Sequence, residues 1–293
     1  MSEEVILEEH KDEQWPEGGM EKQPRGLMTL FFSEMWERFC YYGMRTLLTL
    51  FLVKSLMKGD AEASLIYGAY TSLVYAAPIL GGRMADKFLG YRYAVMLGAV
   101  LMAIGEFLIL GNTEHAMLLG MGALIVGNGY FKANISTIVG KLYKDNDPRR
   151  DSGFTIFYIG INIGALLATT IVAYVGETYG FEYGFGLAGL GMIFGLIQYK
   201  LTGRALDGYG EVPVVVTPAE KAAQTKLKSL TSVIGLVGIV VIGLLFTGVV
   251  PIDVEAIAKS SGTVIAVVAV GYLGYVIAFG GLNQGDKNKV GVI

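Results

Sequence analysis

The chain has 293 residues, 53% of them hydrophobic and only 17% charged, with a mean hydropathy of +0.51, outside the range of ordinary soluble domains. A formal net charge of −3 and the lack of a basic stripe outside short loops exclude a nucleic-acid partner. One cysteine, Cys40, and two isolated histidines, His10 and His115, leave no intrachain disulfide and no metal-ligand cluster, so no metal is expected. Residues 1–24 are acidic (Glu3, Glu4, Glu8, Glu9, Asp12, Glu13) and lack an apolar run, which predicts a disordered tail rather than a signal peptide. Beyond it, a spanning helix needs about 20 mostly apolar residues. Eight stretches qualify, near 26–56, 64–84, 92–112, 115–139, 153–175, 183–202, 228–250 and 262–281.

The first stretch carries Glu34, Glu37, Arg38, Tyr41, Tyr42 and Arg45 in an otherwise apolar sequence. At roughly 100° per residue these side chains fall within an arc of about 140°. An ionisable group at bilayer depth costs at least ~2.5–3.5 kcal/mol. The four charges must therefore face a polar cavity and neutralise one another, or form a buried ion-pair network that holds helices together. Tyr67, Thr71 and Tyr75 give the second stretch one polar edge at i, i+4, i+8. The loop from Gly81 to Arg92 follows, with glycines for a tight turn and Asp86 free to cap the next helix or to latch a base. On the fourth stretch Lys132 lies well inside the span, within Gly127-Asn128-Gly129-Tyr130-Phe131-Lys132-Ala133-Asn134-Ile135-Ser136. It either snorkels to the interface or pairs, buried, with Glu34 or Glu37. Tyr158 and Asn162 stand one turn apart on the fifth stretch, Asn162 being suited to an amide-bearing ligand or to interhelical bonding.

Glycines recur at small-xxx-small spacing, as in Gly160–Gly164 and Gly191–Gly195, a pattern that lets membrane helices approach closely. Arg83, Lys87 and Arg92 follow the second stretch, and Lys141, Lys144, Arg149 and Arg150 follow the fourth, whereas the opposite loops are mostly acidic or neutral. Positive loops stay in the cytoplasm, which predicts a cytoplasmic amino terminus in the inner membrane. Six spans end near Lys200 and a polar stretch, 204–228, forms a linker. Thr217-Pro218-Ala219-Glu220 reads as a helix start that runs into the seventh span. The last two stretches, within 229–285, have no charge in their cores and predict a peripheral, lipid-facing hairpin; 286–293 then begins a further connection.

These motifs together resemble the proton-dependent oligopeptide transporters of the major facilitator superfamily. The resemblance is carried by Glu34-x-x-Glu37-Arg38-Phe39-x-Tyr41-Tyr42, the Gly82-to-Arg92 loop, Gly127-Asn128-Gly129-x-Phe131-Lys132-x-Asn134-Ile135 and Phe157-Tyr158-x-x-Ile161-Asn162-x-Gly164, over roughly residues 23–205. It implies an all-α integral membrane protein: an amino-terminal six-helix bundle over 25–203, plus the helix pair that prokaryotic members carry between their halves. It also implies proton-coupled symport of di- and tripeptides by alternating access, driven by the proton gradient with no cofactor. Glu34, Glu37, Arg38 and Lys132 would couple protons. Arg45 and Lys132 would hold the peptide carboxylate, with Tyr41, Tyr42, Tyr75 and Asn162 lining the cavity and Gly82, Asp86 and Arg92 forming a gate loop.

Glu106, inside the third span, departs from the family pattern, and a plain helix contact is the simplest account of it. The resemblance also implies a second, carboxy-terminal six-helix half, expected either downstream or on a separate chain. Uptake of another small anion, such as nitrate or a modified amino acid, is the competing function on the same scaffold. A non-transporting membrane scaffold is a third. No nucleophile–base–oxyanion arrangement argues for an enzyme.

Overall fold

The computed structural model describes residues 23–111, 113–211 and 218–246, together with residues 267, 270, 271 and 274. Most of the acidic tail, the 262–281 stretch but for those four positions, residues 286–293 and Thr217 at the head of the linker helix lie outside the described residues.

The described chain is helical, with no strand. Helix α1 spans Gly26–Lys54, α2 Asp60–Met84, α3 Tyr91–Ile109, α4 Glu114–Lys141, α5 Arg150–Leu167, α6 Ala173–Tyr179, α7 Phe181–Thr202 and α8 Pro218–Phe246. A π-turn at Ala85–Leu89 extends α2, and another at Ala168–Val172 joins α5 to α6 as one rod. Five of these segments are long and apolar enough to cross a membrane: Asp60–Met84, Tyr91–Ile109, Glu114–Lys141, Arg150–Tyr179 and Phe181–Leu206. Helix α1 has 29 residues, about 44 Å of helix, but carries its charges mid-length.

Local chemistry sets the breaks. Gly90 and Gly180, at φ 72° and 129°, adopt backbone that side-chain-bearing residues rarely take, and each separates one helix from the next. Asp60 and Glu62 lie in the first turn of α2, where the exposed amides favour negative charge. The Thr113 hydroxyl accepts from the Ala116 amide at 3.2 Å and caps α4.

Helix α1 is the centre of the bundle. It packs chiefly against α7 and α5, while α4 packs against α3 and α2. Glycines set these distances. A Cβ on Gly98 of α3 would stand 2.5 Å from the Gly127 carbonyl oxygen of α4, and one on Gly105 would stand 2.8 Å from that of Gly120. Gly160 and Gly164 of α5 meet the Phe31 and Met35 carbonyls of α1, and Gly191 and Gly195 of α7 meet Phe39 and Trp36. The small-residue spacing therefore works as close packing. Beneath it lies a core of Leu30, Met44, Leu47, Leu48, Phe131 and Phe185.

Helix α8 rests on α4 through Gly235, Gly238 and Ile239, which meet Val126 and Tyr130. Leu236, Val237, Val240 and Val241 face outward. The helix starts at Pro218, so the second half of the 204–228 linker is helical.

Candidate functional site

The polar arc of α1 points inward. Glu34, Glu37 and Arg38 are each no more than 2% exposed. Arg38 Nε lies 3.2 Å from Glu34 Oε1 and also donates to Glu37 Oε2. The other oxygen of Glu37 accepts from Asn128 Nδ2 of α4 at 2.8 Å. The guanidinium carbon sits 5.0 Å from the centroid of the Tyr41 ring. Two carboxylates thus share one guanidinium in a dry core. One negative charge is left over unless a proton or a second cation joins them, and an uncompensated buried charge is strongly disfavoured. Glu34 Oε2 and Arg38 Nη2 are buried without a hydrogen-bond partner.

Lys132 is the nearest further cation. It is half-buried and within electrostatic reach of Glu34, Glu37 and Arg38. The expected contact pair with Glu34 or Glu37 is not formed: the Nζ stands 5.1 Å from the centroid of the Tyr75 ring instead. Arg38 occupies the carboxylates, being on their own helix one turn from Glu34, and Lys132 takes an aromatic face. Arg45, half-buried at the far end of the arc, donates through Nε to the Tyr67 hydroxyl and lies 5.6 Å from the centroid of that ring.

The remaining residues of the site divide by exposure. Tyr75 is 51% exposed and Asn162 is exposed, its amide spent on the Tyr158 carbonyl at 2.9 Å. Tyr42 is half-buried and packs edge-on against Tyr41. Tyr41 itself is 2% exposed. This corrects its place as a cavity wall: it stands behind Arg38, because its position on the arc points to the bundle interior.

The loop after α2 is also arranged differently from the latch expected of it. Asp86 lies in the π-turn, within electrostatic reach of the Tyr91 hydroxyl, while Gly90 occupies the cap of α3. Arg92 fastens the segment after α7: its amide donates to Gly210 O at 2.9 Å, Nη2 donates to Gly203 O at 3.0 Å, and Nη1 pairs with Glu211. A Cβ on Gly82 would meet only Ala133 Cβ at 3.4 Å, whereas one on Gly81 would collide with the Gly129 carbonyl. Gly81 is the glycine that the α2–α4 crossing requires.

Further ion pairs lie in the segments between the helices. Lys58, between α1 and α2, pairs with Glu114 at 2.7 Å and Glu62 at 2.8 Å, and the Glu114 hydrogen bond holds its ammonium above the usual lysine range. Asp147, between α4 and α5, accepts from the Arg149 amide at 2.9 Å and from its Nη2 at 2.9 Å. The Arg149 side-chain bonds hold the Asp147 carboxyl below the usual range.

Asn128 lies within the Gly127–Ser136 motif without a role of its own there, and Tyr67 is legible in the sequence only as part of the polar edge of the second stretch. The signal for Asn128 was its position four residues before Lys132, hence on the same face of α4. Glu106 is fully buried on α3, and the Cys40 thiol donates to its Oε1 at 3.4 Å.

An all-helical, multi-pass bundle of the major facilitator type with an ion cluster inside its first helix defines the class. Residues 92–243 match the PTR2 profile, described as "POT family", and the chain belongs to that family. It is 45% identical over 193 residues to the uncharacterized transporter YclF of Bacillus subtilis, an alignment covering 64% of this chain and 39% of that protein. It is 34% identical to the peptide transporter YePEPT of Yersinia enterocolitica, over 91% of this chain and 54% of the relative. It is 36% identical to dipeptide and tripeptide permease A of Chromobacterium violaceum, over 67% of this chain and 40% of the relative. A crystal structure of a peptide transporter POT in complex with sulfate superposes with a TM-score of 0.71 at 35% identity, covering 94% of this chain and 57% of that one. The chain thus spans roughly half of the proteins it resembles, or less.

Proposed function

We propose that this chain supplies the proton-coupling half of a symporter that carries di- and tripeptides across the cytoplasmic membrane by alternating access. The observation that carries the reading is the sharing of Arg38 by Glu34 and Glu37, with Asn128 anchoring Glu37 from α4. Protonation of one carboxylate leaves a single ion pair and loosens the hold on Arg38. The change in charge is felt at Lys132, which then favours a peptide carboxylate together with Arg45. A carboxy-terminal six-helix half would form a cavity against this one, with Tyr75, Lys132 and Asn162 on its wall. The names of the peptide-transporting relatives support the substrate class. The basic loops that follow α2 and α4 support a cytoplasmic amino terminus.

The test is reconstitution of the complete transporter in liposomes with Glu34→Gln and Glu37→Gln combined. Uphill, proton-driven accumulation of dipeptide is expected to vanish while peptide counterflow persists. Undiminished uphill uptake overturns the reading.

A further inference from the structure

The bundle buries a third carboxyl that the charged row of α1 does not use. Glu106 projects from the middle of α3 and is 0% exposed. Its Oε1 accepts from the Cys40 thiol at 3.4 Å, and its Oε2 has no hydrogen-bond partner. Among the described residues no lysine or arginine pairs with it.

The groups around it come from each packed element. Helix α1 presents Cys40 and, three residues earlier, Glu37. Helix α2 presents the Tyr70 hydroxyl, buried and unpartnered, within electrostatic reach of Glu106, Cys40 and Glu37. Helix α7 presents the bare backbone of Gly189, where a Cβ would stand 3.1 Å from Glu106 Cβ. Helix α4 closes the far side with Gly120 and Leu124 against Gly105. Arg38, the nearby cation, is already committed to Glu34 and Glu37.

We propose that Glu106 is a second proton-binding site of the bundle, separate from the Glu34–Glu37–Arg38 cluster and held by Cys40 of that cluster's helix. The geometry differs from that of Glu37 in one decisive respect. A guanidinium and an amide face the two oxygens of Glu37, whereas Glu106 has one weak thiol donor and, among the described residues, no cation. Desolvation without a compensating charge excludes the carboxylate there, so the site binds a proton and holds a neutral acid. The inference rests on burial and contacts alone and stands whether or not the chain takes part in peptide transport.

The experiment is infrared spectroscopy of this chain in lipid vesicles at neutral pH, in H2O and D2O. The parent is expected to show a protonated-carboxyl C=O band that moves on transfer to D2O. Glu106→Gln, shaped like the neutral acid, is expected to lose that band and keep its fold. Glu34→Gln is expected to retain the band, and Cys40→Ala is expected to shift it while Cys40→Ser leaves it near the parental position. Should Glu106→Gln fail to fold, the Cys40 pair still reads the same carboxyl in folded protein. A parent spectrum with no such band, or a band indifferent to Cys40→Ala, overturns the proposal.

Discussion

Asn128 Nδ2 and Arg38 Nε take separate oxygens of Glu37, the amide from α4 at 2.8 Å and the guanidinium from α1 itself. Glu37 is thus pinned from two helices, while Glu34 meets Arg38 through one oxygen and leaves the other unpartnered. The α1–α4 crossing is fastened by this hydrogen bond at the site where charge is most concentrated.

Asn128→Ala is therefore expected to destabilise the bundle. It strips a buried carboxylate oxygen of its donor and leaves a cavity, a loss of about 1–3 kcal/mol. Thermal unfolding in detergent should show the drop. Asn128→Ala combined with Glu37→Gln should lose less than the sum of the two single changes, because the partners act as one unit. Strict additivity would show that the amide does not support Glu37.

Adjacent glycines give a sharper test of packing. Gly81→Ala drives a methyl group into the Gly129 carbonyl, whereas Gly82→Ala meets Ala133 Cβ at ordinary contact distance. The first is expected to cost about 1–3 kcal/mol or more and the second close to nothing. Melting temperatures of the two variants, side by side, decide it; equal values would show that α2 and α4 do not cross as described.

The Asp147–Arg149 pair gives a pH dependence of known sign. The Asp147 carboxyl is held below its usual range, so its stabilising contribution is fully present above the unfolded value, about 3.9, and is lost as pH falls through the lower folded value. Melting temperature should be insensitive to this group from neutral pH down to about 5 and then decline on further acidification. Asp147→Asn should cost about 1 kcal/mol at neutral pH and flatten the acid decline. A decline unchanged in the variant would assign it to other carboxylates.

How far the fold and site could be read ahead depended on which physical rule decided each feature. The first six apolar stretches were legible because hydrocarbon thickness sets their length and loop charge marks their ends. The arc from Glu34 to Arg45 was legible because helical periodicity alone puts those residues on one face. Partner choice was not. Whether Lys132 meets Glu37 or Tyr75 depends on the height and rotation at which α2 and α4 cross, and those are set by Gly81 against Gly129, a contact between residues 48 positions apart. For the same reason Tyr41 could be placed on the arc but not assigned to its buried side, and Asn128 could be quoted without its partner. The Arg92 clamp on Gly203 and Gly210 joins segments more than 100 residues apart, and no local pattern announces it.

Tyr75 provides the final test, because it separates aiming from charge. The Lys132 ammonium stands over the Tyr75 ring at 5.1 Å, half-buried, beside an exposed tyrosine edge. If Lys132 receives a peptide carboxylate, the ring holds the ammonium toward the open wall, and a contact of this kind at a partly exposed site contributes about 0.5–1 kcal/mol. Tyr75→Leu in the complete transporter should then raise the KM for dipeptide about two- to fivefold with kcat nearly unchanged. The pH profile of uptake should stay in place, since the Glu34–Glu37–Arg38 cluster is untouched. Tyr75→Phe keeps the aromatic face and should behave like the parent. A Phe variant as impaired as the Leu variant would transfer the role from the ring to the hydroxyl. An unmoved KM in both would place the carboxylate site away from Lys132.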